Sequence, residues 1–238
     1  MIDEKRVLVA IPTTGFICEP LVFWMLKAAT AGYGDWMFDF TTPCGYSPVE
    51  YARNRCVQTF LDHPDAGWLW FWDQDVVPSA RSMEMLDVAA SGEDMVCGNY
   101  PLWVPMKQYG RSGYAPCVFN DKNDEGYQPL YAAFEKPERI LASGCGCLLI
   151  SRKVLEDKRM LLGESQGLIP MFRTPRAADG RQITTEDMDF FDRTRALGYT
   201  LTYHSGVQNG HMKQINLAEV KDWLDFAYAE GTKVSNRP

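Results

Sequence analysis

The sequence predicts an α/β fold, a doubly wound and mostly parallel sheet flanked by helices, and three observations lead to this prediction. Short apolar runs alternate with helix-length segments, as they do where crossover helices connect parallel strands. One run, WLWFW at 68–72, is apolar at every position, as a strand covered by helices on both faces must be. Residues 1–238 contain no repeat or low-complexity segment, and their number fits a single domain.

The first half of the chain predicts three strands separated by two helices. The first strand ends at a proline, and its following helix ends near Gly32. The clearest helix start is SPVE at 47–50, with a capping serine, a proline at the first helical position and a glutamate three residues after the serine. The predicted strands are 6–12, 37–40 and 68–72, and the predicted helices are 20–31 and 48–61.

The second half continues the alternation around two segments without a clear pattern. Residues 99–139 are polar, aromatic and rich in glycine and proline, and they are too long for an ordinary connection, so we expect a long irregular insert. Residues 163–183 are also expected to be irregular, and TTED at 184–187 opens a helix that ends at Gly198. The other predicted elements are helix 80–90, strand 95–98, sheet segments within 140–150, a helix from Lys153, strand 199–203 and helix 216–229.

Composition and charge limit the classes of function. The net charge of −7 argues against a protein that coats nucleic acid, although a local basic groove stays possible. The N-terminal segment lacks a signal-peptide pattern, and no apolar run approaches the about 20 residues that span a bilayer, so we expect a cytoplasmic protein without a membrane span. Seven scattered cysteines predict reduced, mostly buried thiols, and Cys145 and Cys147 lack the second pair that structural zinc requires.

The most informative polar residues are Asp73 and Asp75, which directly follow the most apolar strand. Ligands of doubly wound sheets bind beyond the carboxyl ends of the strands. Two carboxylates in alternate positions can share a divalent cation, which would neutralise the charge of a departing diphosphate. The alternative is an aspartate-rich turn without a ligand. The position favours the metal site.

Arg53 and the acidic pair Glu186-Asp187 add candidate site residues. Arg53 falls on the apolar face of the helix over 48–61, so its guanidinium needs an anion. That anion is Asp73, a nucleotide base edge or phosphate, or another carboxylate in a purely structural pair. Asp187 lies in the first turn of its helix, where the helix dipole favours the ionised form that a general base requires. A structural helix start, with capping by Thr184, is the alternative.

Several motifs together resemble the GT-A-fold glycosyltransferases, particularly soluble bacterial and bacteriophage members related to the large inverting family. The motifs are VLVAIPT at 7–13, RNR at 53–55, WDQD at 72–75, GCGCLLI at 144–150 with Arg152, TEDMDF at 185–190 with GY at 198–199, and GH at 210–211. They occur in the family's order across nearly the whole chain. The insert at 99–139 has no counterpart in the family, and we expect it to form an acceptor-side loop or subdomain.

The resemblance implies a role for each matching residue. Asp75 and His211 would bind Mn²⁺ or Mg²⁺, and Asp73 would contact the metal or the ribose of a nucleoside-diphosphate sugar, with UDP-sugars favoured. The nucleotide would be held by the loop after the first strand, by the helix over 48–61 and by the DxD segment. Asp187, with Glu186 beside it, would deprotonate the acceptor hydroxyl in an inverting reaction. The residues implied in nucleotide binding are Pro12, Thr13, Thr14, Arg53, Asp73 and Gln74.

Other functions and acceptors stay open. An apolar strand followed by Asp73 and Asp75 also opens phosphatases of the haloacid-dehalogenase type, in which the first aspartate attacks phosphorus. A sugar-nucleotide-binding protein without turnover and a nucleotidyltransferase are further alternatives. The acceptor is a saccharide, a small molecule or a modified DNA base, and in the last case a basic stretch would contact phosphates. That stretch contains Arg173, Arg176 and Arg181.

Overall fold

The computed structural model describes residues 2–106, 111–124, 126–132, 134–161, 169–213, 220–221 and 224–225. The strands are β1 (Asp3–Ala10), β2 (Met37–Thr41), β3 (Ala66–Trp72), β4 (Val76–Val77), β5 (Met95–Asn99), β6 (Pro101–Met106), β7 (Arg111–Pro116), β8 (Val118–Asn123), β9 (Gly126–Pro129), β10 (Glu138–Ile140), β11 (Ala142–Ser143), β12 (Cys147–Ser151), β13 (Leu201–Gln208) and β14 (Gly210–His211). The helices are α1 (Glu19–Ala31), α2 (Val49–Asp62), α3 (Glu84–Ala90), α4 (Arg152–Leu155) and α5 (Glu186–Ala196), with a 3-10 turn at Lys158–Met160.

Seven strands form the central sheet in the order β10-β13-β5-β12-β3-β1-β2. The predicted α/β class with a sheet flanked by helices is confirmed, but the sheet is mixed rather than mostly parallel. Its parallel pairs are β1–β2, β1–β3 and β5–β13, and its antiparallel pairs are β3–β12, β5–β12 and β10–β13. Strand β5 ends and β12 begins at the carboxyl edge of the sheet, and the residues described between them contain no helix. Strand β12 therefore runs antiparallel to both of its neighbours.

Helices cover both faces of the sheet, which explains the fully apolar central strand. All seven residues of β3 are buried. Its Leu69 and Phe71 pack in a core that side chains of α2, α4 and α5 complete, whereas its three tryptophans pack in a second core with side chains of α1 and α3. The doubly wound arrangement thus follows from a strand that buries both of its faces.

The insert at 99–139 is not irregular, so that part of the prediction is wrong. Strands β6 and β7 form one antiparallel pair, β8 pairs with β9 and β11, and β10 joins the central sheet. Prolines and glycines in β6 and β7 and the polar sequence of β8 hide these strands from a pattern analysis. Residues 107–110, 125 and 133 of the insert lie outside the described residues.

Two helix boundaries differ from the predicted ones. Pro48 rather than Ser47 occupies the N-cap position of α2, and no side chain accepts a capping hydrogen bond there. Helix α3 begins at Glu84 instead of residue 80, because hydrogen-bonded turns at 79–82 precede it. The predicted helix over 216–229 lies outside the described residues except at 220–221 and 224–225, which are helical. No helix in the described part of the chain is long and apolar enough to cross a bilayer.

Candidate functional site

The loop after β1 and the segment after β3 meet at the carboxyl edge of the sheet because β1 and β3 are parallel neighbours. Gln74 fixes the two segments to each other. Its Oε1 accepts hydrogen bonds from Thr13 Oγ1 at 2.8 Å and from the Thr14 backbone nitrogen at 2.7 Å. The middle residue of the Asp-Gln-Asp segment therefore shapes the loop that was predicted to bind the nucleotide.

A cleft of about 260 Å³ opens between these two segments and the start of α2. It contains six of the predicted site residues, namely Pro12, Thr13, Thr14, Asp73, Gln74 and Asp75. It also contains four residues that the sequence did not single out, namely Tyr46, Ser47, Val49 and Ala52. Tyr46 is 41% exposed, and its only sequence signal is an aromatic residue between a glycine and a helix start.

Arg53 joins the cleft to α5 through two carboxylates. Its Nη2 lies 3.5 Å from Asp73 Oδ1, and its Nε donates to Glu186 Oε1 at 3.2 Å. Burial alone would lower the pKa of the Arg53 guanidinium, but the neighbouring anions, Asp73 most strongly, raise it well above its usual value. Its Nη1 is buried and has no hydrogen-bond partner in the described part of the chain. The expected anion for this buried arginine is thus a pair of carboxylates.

The two members of the acidic pair lie in different environments. Glu186 is buried against Arg53, and burial raises its pKa, which the positive charge of Arg53 only partly opposes. Asp187 is half-buried, and its Oδ1 accepts hydrogen bonds from Thr185 Oγ1 and from the Met188 backbone nitrogen. Thr185 rather than Thr184 is the N-cap residue. Asp187 is thus the more accessible of the two carboxylates.

His211 lies at the site because two short strands that are far apart in sequence pair with each other there. In the antiparallel pair β4–β14, His211 stands opposite Val76, and the Met212 backbone nitrogen donates to the Asp75 carbonyl oxygen at 2.8 Å. His211 Nε2 lies 3.3 Å from Asp75 Oδ1, and Lys213 Nζ lies 2.5 Å from Asp75 Oδ2. Burial alone would raise the pKa of Asp75, but these two contacts outweigh it and lower the pKa to about 2.

The three predicted metal ligands are only partly brought together. Asp75 and His211 face each other, whereas Asp73 contacts Arg53, and within the described ranges no group of three or more His, Cys, Asp or Glu side chains can hold a metal ion. His211 Nδ1 lies 2.7 Å from the Pro101 carbonyl oxygen. A carbonyl oxygen only accepts, so Nδ1 donates to it, and Nε2 is the ring nitrogen that faces Asp75 and that would face a metal bound there. Asp75 and His211 are compatible with a divalent cation whose shell substrate oxygens or water would complete.

Small residues before β12 let the side chains of Asp73 and Tyr100 approach the backbone closely. A Cβ atom at Gly146 would lie 2.9 Å from Asp73 Oδ2 and 2.7 Å from Tyr100 Cζ, and one at Gly144 would lie 2.0 Å from the Tyr100 hydroxyl. The Gly146 backbone nitrogen donates to the Tyr100 hydroxyl at 3.2 Å. The glycines of the GCGC motif thus allow close packing against Asp73 and Tyr100. The cysteine pair of this motif does not form a metal site.

Comparisons with known proteins identify a shared fold. The chain is similar to the crystal structure of A197 from STIV, with a TM-score of 0.55 and 22% identity, over 88% of this chain and 86% of that one. A crystal structure of GalNAc-T7 with UDP, GalNAc and Mn²⁺ matches with a TM-score of 0.49 and 10% identity. That match covers 89% of this chain and 44% of the GalNAc-T7 chain. No protein-family model and no curated protein matches the chain.

Each arginine of the predicted basic stretch contacts a nearby acidic side chain or carbonyl oxygen. Arg173 pairs with Asp189, Arg181 pairs with Asp179, and Arg176 donates to the Gly180 carbonyl oxygen. Asp189 also pairs with Arg193. The side chains of Arg173 and Arg181 stay 53% and 77% exposed beside these contacts, and the DNA acceptor stays a prediction.

Proposed function

We propose that the protein is a glycosyltransferase that moves a sugar from a nucleoside diphosphate to an acceptor hydroxyl, with Mn²⁺ or Mg²⁺ bound by Asp75 and His211. The observation that carries the proposal is the pairing of Asp75 with a correctly oriented His211 at the edge of the cleft. A cation between a carboxylate and an imidazole supplies positive charge at the place where a diphosphate leaves. Asp73, held by Arg53, is left as a contact for the ribose or the metal.

The cleft suits the nucleoside of the donor. The ring of Tyr46 is half exposed at its mouth and offers a stacking surface for a base. Thr13 and Thr14 line the adjoining wall, and Gln74 holds them in place. We favour a UDP-sugar because the smaller pyrimidine base needs less room in a cleft of about 260 Å³.

Asp187 is the proposed general base. The acceptor oxygen attacks the anomeric carbon, the bond from that carbon to the phosphate oxygen breaks, and the diphosphate leaves with the electron pair. The proton of the acceptor hydroxyl moves to Asp187. Such a single displacement inverts the configuration at the anomeric carbon. Glu186 stays bound to Arg53 and positions the start of α5 instead of taking part in proton transfer.

The phosphatase alternative requires a free Asp73 carboxylate as nucleophile. One oxygen of Asp73 lies 3.5 Å from the guanidinium of Arg53, and β3 is the third strand of the chain rather than the first. Both features favour a glycosyltransferase over a phosphatase of the haloacid-dehalogenase type.

Release of UDP from a panel of UDP-sugars, with water or simple saccharides as acceptors, tests the proposal. We expect release with Mn²⁺, loss of release after chelation with EDTA and recovery after Mn²⁺ is added back. The hydrolysis of a phosphate ester is measured in parallel as the test of the phosphatase alternative. Hydrolysis of that ester without any release of UDP would replace the proposal by the phosphatase. Binding of UDP without release from any sugar would leave a sugar-nucleotide-binding protein.

A further inference from the structure

Lys213 contacts the proposed metal ligand directly, and neither the sequence motifs nor the proposed reaction gives it a role. Its ammonium group lies 2.5 Å from Asp75 Oδ2, on the carboxylate oxygen that His211 leaves free. The side chain is 47% exposed, whereas that of Asp75 is 23% exposed. Lys213 therefore occupies a position where a divalent cation would bind Asp75, and it can leave this position toward solvent.

The backbone holds Lys213 at this place. Strand β14 pairs with β4, and the following Met212 donates its backbone N–H to the carbonyl oxygen of Asp75 itself. His211 and Lys213 are two residues apart, so in an extended segment their side chains lie on the same side. One short segment thus places an imidazole and an ammonium group against one carboxylate.

Carboxylates outnumber cations around the cleft. Four carboxylates lie at or next to it, and two cations contact three of them. The carboxylates are Asp73, Asp75, Glu186 and Asp187, and the cations are Arg53 and Lys213. Arg53 is buried between Asp73 and Glu186, which leaves it little freedom to move to a ligand. Lys213 is the cation of this group that can change partners.

We infer that Lys213 exchanges partners during donor binding, neutralising Asp75 in the empty site and contacting the diphosphate once a divalent cation binds Asp75. This inference rests on the proposed function. A divalent cation on Asp75 removes the attraction that holds the ammonium group, and the incoming phosphates supply a new anion within reach of a flexible side chain. The exchange keeps the site neutralised both before and after the donor binds.

The exchange predicts two effects of opposite sign for Lys213→Met. Without the competing ammonium group, Mn²⁺ alone binds about three- to fivefold more tightly, as befits a partly exposed ion pair. With Mn²⁺ saturating, UDP binds about tenfold more weakly, because a charge-assisted contact to phosphate is lost. Mn²⁺ binding is followed by electron paramagnetic resonance of the free ion, and UDP binding by calorimetry.

Two further variants separate this exchange from a general effect of charge. Lys5→Met removes another surface lysine, which pairs with Asp35 away from the cleft, and it should change neither affinity. Lys213→Arg keeps the charge and should retain most of the UDP affinity. Tighter Mn²⁺ binding with unchanged UDP binding would overturn the phosphate contact, and unchanged Mn²⁺ binding would overturn the competition. If the wild type does not bind UDP at all, the proposed function itself fails.

Discussion

Arg53 is the residue on which the interior of the site depends. It is buried between Asp73, at the end of β3, and Glu186, at the start of α5, so it joins the metal side of the cleft to the side of the proposed base. The helical spacing of apolar residues around it predicted that it needs an anion. The spacing could not predict which anion, because Glu186 is 133 positions away and its burial depends on the packing of α5.

Replacing Arg53 by methionine should lower the free energy of unfolding by about 3–5 kcal/mol, because Glu186 would be left as a buried carboxylate without its partner. Urea denaturation followed by circular dichroism measures the change. Arg55→Met is the matched control, since Arg55 is exposed on the same helix and its loss should cost less than about 1 kcal/mol. Equal losses in the two variants would contradict the structural role given to Arg53.

Asp187→Asn should preserve UDP binding and reduce sugar transfer by a factor of about 10² to 10⁴, which is the usual contribution of a general base. The amide keeps the shape of the side chain and an oxygen that can accept the hydrogen bond from the Met188 nitrogen. Release of UDP from the donor measures the rate. Asp179→Asn, which alters an exposed carboxylate before α5, is the control. A rate within about twofold of wild type would remove Asp187 as the base.

At the scale of elements, α2 anchors the chain that leads into α5. Asn54 Oδ1 accepts hydrogen bonds from the Met171 and Phe172 backbone nitrogens at 2.9 and 2.7 Å, and its Nδ2 donates to the Phe172 carbonyl oxygen at 2.9 Å. In the RNR motif, Arg53 therefore binds carboxylates of the site, and Asn54 binds the backbone of the distant segment at 171–172. Both residues position α5, and with it Asp187.

Asn54→Ala should destabilise the protein by about 2 kcal/mol, because the Phe172 N–H and carbonyl groups would lose this partner and the Met171 N–H would keep only the Ile169 carbonyl oxygen. Hydrogen exchange should show faster exchange at the amides of Met171 and Phe172 in particular. Gln58→Ala on the same helix removes only an exposed contact with Asp62 and is the comparison. Unchanged protection of those two amides would mean that Asn54 does not hold the segment.

The elements also show what a sequence pattern can and cannot predict. Helices α1 and α2 and strand β3 were predicted to within a few residues, because each has the continuous apolar face or run that its packing requires. The strands of the insert escaped prediction because their sequences carry prolines, glycines and charges in place of a regular apolar alternation. Strand β12 was predicted, but its antiparallel direction depends on the path of the insert.

At the scale of the whole molecule, the two cores account for the distribution of cysteines. All seven are unbonded, and only Cys44 is exposed. Burial raises the pKa of the other six thiols above the usual value, to about 12 at Cys56, Cys117 and Cys147. As predicted, all seven thiols are free and most of them, six, are buried.

Titration of the native protein with a disulfide reagent at pH 8 should therefore modify one thiol rapidly, and the denatured protein should yield seven. The thiolate is the reactive form, so thiols with raised pKa values stay protonated at this pH and gain reactivity only at much higher pH. Cys44→Ser should abolish the rapid phase. Two or more rapidly reacting thiols in the native protein would contradict the packing of the two cores.

The candidate site assembles residues from the whole length of the chain, and the sequence predicted its members better than their partners. Asp73 and Asp75 were expected at the carboxyl edge of the sheet, the family resemblance implied Pro12 to Thr14 and Gln74 in nucleotide binding, and the cleft contains all six. The contact of Asp73 with Arg53 was one of the predicted alternatives, whereas the position of Lys213 on Asp75 depends on tertiary geometry that no local pattern encodes.

Calorimetric titration of UDP with and without Mn²⁺, on wild type and Asp75→Ala, tests the central claim most directly. Asp35→Ala, which removes an exposed carboxylate paired with Lys5, is the control. We expect wild type and the control to bind UDP in the presence of Mn²⁺, and Asp75→Ala to lose that dependence on the metal while keeping the fold. Binding of UDP by Asp75→Ala with an undiminished effect of Mn²⁺, or no binding by wild type, would contradict the account.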